Sequence, residues 1–221
     1  MPRRALAEHR PYLLLSLLAG ISYYFAADEA IGGLWLMLWK GLGVGFLAFY
    51  AAHRGRGRDG VLLTAVLALG ALADVALELS YLGGGILFAV GHAVAIALYL
   101  RNRRQRTSFS QKLAGTGLLV LVPAIAAILT YPLPNWLLSV AYAALVGGMA
   151  AAAWTSRFPR YRVGIGAVLF VASDLLIFAR EAGATAPGFA NLLIWPLYFA
   201  GQFLIATGVV QAIRTSRKSR L

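Results

Sequence analysis

The chain has 221 residues, 60% of them hydrophobic, and a mean hydropathy of +0.74, which excludes a water-soluble domain because too little polar surface is available to cover it. Its formal charge of +12 is confined to short segments between apolar runs, a pattern of membrane topology that argues against nucleic acid as a partner. Cysteine is absent, so a disulfide framework, a thiolate metal site and a cysteine nucleophile are all excluded.

A helix needs about 20 mostly apolar residues to cross hydrocarbon, and eight such runs follow in order at 11–27, 30–52, 61–79, 83–100, 113–131, 135–155, 162–179 and 190–213. The predicted architecture is all-α: a polytopic membrane protein with eight transmembrane helices in one bundle, the whole of 1–221 forming a single integral membrane domain. The first run follows Arg3, Arg4 and Arg10 and has the length of a signal peptide, but Tyr12, Tyr23 and Tyr24 and the lack of a clear small-residue cleavage site favour a retained helix. Basic residues gather in the N-terminal tail, after the second, fourth and sixth runs, and at the C-terminus. With eight spans, eighteen of the twenty Lys and Arg then lie on one side. The positive-inside rule makes that side, and both termini, cytoplasmic; the expected location is a bacterial cytoplasmic membrane, whose anionic leaflet suits the basic segments. Pro123 and Pro196 fall inside the fifth and eighth runs and should kink them, whereas Gly41, Gly43, Gly45, Gly147 and Gly148 read as helix-packing positions. The third and seventh runs carry similar strings, ALADVALE and VASDLLIF, which would also fit a parallel internal repeat.

The residues that do not belong in lipid carry the functional signal. Asp74 and Asp174 sit in the outer halves of the third and seventh runs, Lys40 and His92 near mid-depth of the second and fourth, and Tyr198 and Gln202 one turn apart on the eighth. Ionisable groups at such depth usually face a cavity or a partner, so these five runs are expected to supply one polar layer. Each residue also has a plainer use. Lys40 suits a buried ion pair with Asp74 or Asp174, Glu78 a solvated rim position, His92 a packing role, and Tyr198 and Gln202 interhelical hydrogen bonds. Only His92 of the three histidines lies within a span, His9 and His53 being in basic segments, so no metal and no cofactor are expected. Ser173, His92 and Asp74 contain the groups of a serine hydrolase, but no G-x-S-x-G turn surrounds the serine. Residues alone thus leave an enzyme and a proton-coupled transporter of a small molecule or lipid equally open, with a non-catalytic scaffold as a third possibility.

The same strings resemble the lysoplasmalogenase family of YhhN-like membrane hydrolases. The resemblance rests on Lys40, on Asp74 within ALADVALEL, on Phe88 to His92, on GAVLFVASDLL from Gly166 to Leu176, and on YFAGQFLIA from Tyr198 to Ala206. Two positions depart from the family's pattern: Ala73 where a glycine usually precedes the first aspartate, and Ala95 and Ile96 where a tyrosine is common. Membership implies cleavage of the vinyl ether bond of a lysoplasmalogen, a lysophospholipid, by acid/base chemistry with Asp74 and Asp174 as the catalytic pair. It also implies Lys40, His92, Ser173, Tyr198, Gln202 and Glu78 as supporting or substrate-binding residues. The implied partners are the lysophospholipid and the bilayer, with entry of the single-chain lipid sideways between helices.

Overall fold

Backbone in hydrocarbon must satisfy its own hydrogen bonds, which leaves helices as the solution for runs of this length. The computed structural model, which describes residues 10–27, 33–131 and 133–218, is helical nearly throughout. The α-helices are α1 (Pro11–Ala26), α2 (Leu34–Arg54), α3 (Gly57–Leu77), α4 (Tyr81–Arg101), α5 (Phe109–Thr130), α6 (Trp136–Thr155), α7 (Ile165–Glu181) and α8 (Pro187–Lys218), and a π-helical turn at Arg160–Gly164 leads into α7. No β-strand occurs among the described residues. Among the described residues, seven segments are long and apolar enough to cross a bilayer, α7 counted with its π turn, whereas α1 has only 16 residues. The protein is of the integral multi-pass type.

Every expected run coincides with a helix, but the ends differ. α3 starts at Gly57 instead of 61, and α8 extends over 32 residues, past both ends of the 190–213 run. Hydropathy marks the slab of hydrocarbon, while a helix continues into the interface as long as its backbone bonds propagate; Arg58 and Arg214 are helical although polar. The helix starts have local causes. Ser108 and Gln111 form a capping box at α5, the serine hydroxyl accepting from Gln111 N–H and the Gln111 side chain from Ser108 N–H. Only Gly55 and Arg56 connect α2 to α3. Gly57 there takes φ of +67°, where a side chain would be strained, and a Cβ on Gly60 would lie 2.7 Å from the carbonyl carbon of Gly55.

The described helices fall into two compact units, one within residues 1–94 and 210–221, the other within 95–209. In the first, α2 packs between α1 and α3. Ser16 Oγ in α1 donates to Gly43 O at 2.7 Å, and a Cβ on Gly41 would stand 2.6 Å from Val75 Cγ2 and 3.1 Å from Ala71 O. In the second, α5 packs on α6, and both touch α7. A Cβ on Gly147 of α6 would lie 2.7 Å from Leu118 O, and one on Gly166 of α7 2.7 Å from Gly201 O of α8. Glycine is thus used where one helix backbone meets the next. Outward positions are apolar, among them Phe25, Trp35, Phe49 and Val61 in the first unit and Leu121, Ile128 and Leu137 in the second. Asp74, His92, Gln111, Thr130, Ser173, Asp174 and Gln202 are buried. An apolar outer surface on the helices, with polar groups among the buried residues, suits a lipid surround.

Two outcomes are expected. With no native cysteine to remove, single-cysteine variants report sidedness directly. In sealed vesicles Arg58→Cys and Ser80→Cys, which flank α3, should label from opposite sides; Arg106→Cys and Arg157→Cys should label from one side and Gly183→Cys from the other. Thermal unfolding in detergent should show Gly166→Leu destabilised by roughly 1–3 kcal/mol through forced separation of α7 from α8. Gly85→Ala, where a Cβ meets nothing within 4 Å, should be neutral or gain up to about 1 kcal/mol.

Candidate functional site

In the first unit, Asp74 belongs to the buried stripe of α3 that runs through Gly60, Leu63, Leu67, Gly70 and Ala73, and is itself 2% exposed. The helical period alone carries it inward. Lys40 neighbours Gly41, the point where α2 comes closest to Val75, and one turn beyond Val75 stands Glu78. Lys40 Nζ donates to Glu78 Oε1 at 2.6 Å. The cation therefore pairs with Glu78 rather than with Asp74 or Asp174, because the close α2–α3 contact brings this carboxylate within reach of its flexible stem. Glu78 is accordingly both half-exposed, at 46%, and ion-paired, so it is not simply a solvated rim residue. His92 is buried in α4 and stacks on Phe88, with ring centroids 6.3 Å apart and an interplanar angle of 19°.

Contacts of Gly91 with Leu69 and of Gly84 with Leu77 fix α4 antiparallel to α3. In that register His92 lies about 9 Å along the axis from the level of Asp74, taking about 1.5 Å of rise per residue. Helical side chains lean toward the N-terminus of their own helix, so in this antiparallel pair the two lean toward each other.

In the second unit, α7 and α8 are antiparallel. Gly166 meets Gly201, and Ser173 Oγ donates to Ile194 O at 3.0 Å. Between these two contacts the rings of Phe170 and Tyr198 pack edge-on, centroids 5.2 Å apart at 77°. Trp195 extends the aromatic group, stacking on Phe199 with centroids 5.8 Å apart at 9°. Asp174 is one turn from Phe170, buried at 8% exposure, and its Oδ2 accepts a hydrogen bond from Tyr142 Oη of α6 at 3.0 Å. Tyr142 is braced edge-on by Phe178, centroids 6.1 Å apart. Tyr198 and Gln202 are both buried, one turn apart. By the same register Gln202 lies about 13 Å along the axis from the level of Asp174. Here too the side chains lean toward one another.

Ser173 therefore has a defined employment: its hydroxyl donates to the Ile194 carbonyl of α8, joining the two helices. Tyr142 is the residue that sequence reasoning missed. Its signal was a lone phenol in the alanine-rich VAYAALVGG of the sixth run. No group of three or more His, Asp or Glu side chains arranged to hold a metal ion occurs among the described residues.

A sequence model of the YhhN family matches residues 35–209, a stretch that contains every site residue named above. No curated protein and no solved structure matches the chain.

The Tyr142–Asp174 bond has a measurable consequence. Tyr142→Phe keeps the ring against Phe178 and removes the donor, so thermal unfolding should show a loss of roughly 1–3 kcal/mol. Asp174→Leu combined with Tyr142→Phe should cost less than the two single changes together, because both remove the same bond.

Proposed function

Because this chain belongs to the YhhN family, which includes lysoplasmalogenases, we propose that it hydrolyses the vinyl ether bond of a lysoplasmalogen within the membrane, releasing a fatty aldehyde and a glycerophospho-alcohol. The observation that carries this reading is the family match over residues 35–209, most of the chain. The two carboxyl groups buried in membrane-type helices supply chemistry suited to it.

A vinyl ether is hydrolysed by protonation of its outer alkene carbon, which leaves an oxocarbenium ion at the carbon bonded to oxygen. Water adds to that carbon and loses a proton, and the hemiacetal so formed collapses to aldehyde and alcohol. One water is consumed and the catalyst recovers its proton. The first step needs a carboxylic acid that is protonated near neutral pH; the second is helped by a carboxylate that stabilises the cation or takes a proton from water. Paired carboxylates divide the same labour in glycoside hydrolysis. In this reading Asp74 and Asp174 are the pair. Lys40, beside the half-exposed Glu78, supplies positive charge for the head-group phosphate. His92, Tyr198 and Gln202 orient water and the glycerol hydroxyl, and Tyr142 holds one oxygen of Asp174. We assign Ser173 to the α7–α8 register and not to nucleophilic attack, since its hydroxyl is engaged by Ile194 O.

The test is aldehyde release from a lysoplasmalogen by the purified, detergent-solubilised protein. Wild type should produce aldehyde, Asp74→Asn and Asp174→Asn should each fall by on the order of 10²-fold or more while melting near the wild type, and Ser173→Ala should keep most of its turnover. A folded wild type that releases no aldehyde would end this reading, and substrate-dependent proton flux in vesicles from the same preparation would replace it with transport.

A further inference from the structure

The α4–α5 and α6–α7 linkers of the second unit are tied together. Arg157 N–H donates to Asn102 O at 2.8 Å, Arg104 N–H to Thr155 O at 3.3 Å, and Arg103 and Ser156 form an antiparallel bridge. Arg104 Nε adds a bond to Ser156 O at 3.4 Å, while Asn102 Nδ2 anchors the junction to Leu98 O at 3.0 Å. Asn102 and Ser156 are buried, so the junction is a fixed part of the fold rather than two independent loops.

Its charge is one-sided. Residues 101–112 and 155–164 carry eight Lys or Arg and no Asp or Glu. Arg103, Arg106 and Arg157 are exposed. The Arg160 guanidinium carbon lies 5.5 Å from the centroid of the Tyr161 ring, and its Nε is shielded from solvent without a hydrogen-bond partner among the described residues. Tyr161 and Phe109, at 77% and 81% exposure, present aromatic rings from the same two stretches, beside the ends of membrane-type helices. Guanidinium groups bind phosphate through paired N–H donors, and aromatic rings favour the head-group level of a bilayer.

We propose that this tied junction is a binding site for an anionic phospholipid, whose phosphodiester is held by Arg103, Arg157 and Arg160 while Phe109 and Tyr161 sit in the interface. A site so defined differs from the diffuse attraction that any basic loop feels toward an anionic leaflet. It predicts that these arginines matter and those of the α2–α3 connection do not.

The experiment is native mass spectrometry of the full-length protein in neutral detergent with equal amounts of phosphatidylglycerol and phosphatidylcholine. Wild type should retain phosphatidylglycerol in preference by roughly tenfold or more. The variant Arg103→Gln/Arg157→Gln/Arg160→Gln should lose that preference, and Arg56→Gln/Arg58→Gln should keep it. Equal retention by wild type and the triple variant would overturn the proposal. So would equal loss from the α2–α3 variant, which would reduce the effect to net charge, or displacement of the lipid by excess inorganic phosphate as readily as by phosphatidylglycerol, which would make this a free-anion site. If the triple variant does not fold, the exposed Arg103→Gln alone must lower the preference, and an undiminished one would count equally against the site.

Discussion

Backbone contact at glycine governs how these helices meet. Inside a bilayer, burying leucine against leucine gains little over leaving it against lipid, so helix pairs are held by close packing and by hydrogen bonds that only short distances allow. Gly41 against Ala71 and Val75, Gly147 against Leu118, and Gly166 against Gly201 are the places where this chain achieves that approach. The neighbouring polar contacts follow from it. Lys40 reaches Glu78 because Gly41 admits α3, and Ser173 reaches Ile194 because Gly166 and Gly201 set the separation of α7 and α8.

Within each unit, polar groups stand among mostly apolar buried side chains, while many large apolar side chains face outward. Asp74, His92, Asp174 and Gln202 are buried, while phenylalanine, tryptophan and isoleucine face outward. Such groups are tolerated at depth only when something satisfies them, and Tyr142 does so for Asp174. A carboxyl group held by one oxygen has the other left for chemistry or for a further bond.

Much of this was legible in the sequence because hydrocarbon imposes a simple rule on residue type. All eight runs are helices, and the residues that break the apolar rule, Asp74, Asp174, His92, Tyr198 and Gln202, are buried ones. Helix ends were less legible, since Arg58 and Arg214 end a hydropathy run without ending a helix. Pairing was the least legible. Lys40 was expected to pair with Asp74 or Asp174 and Glu78 to be a solvated rim residue, and only the α2–α3 register brings Lys40 to Glu78. Tyr142 gave almost no signal, because a tyrosine in a membrane span is unremarkable until the carboxylate it binds, 32 residues away, is known.

The α7–α8 pair is also a short-range structure. Its defining hydrogen bond joins residues only 21 apart in sequence, and the connection between the two helices is a few residues long. Closing so small a loop has a low entropic cost, so the register of this hairpin is set by residues that are near neighbours in the sequence. Asp174, Phe170 and Tyr198 thus take their mutual order from contacts that are local in sequence.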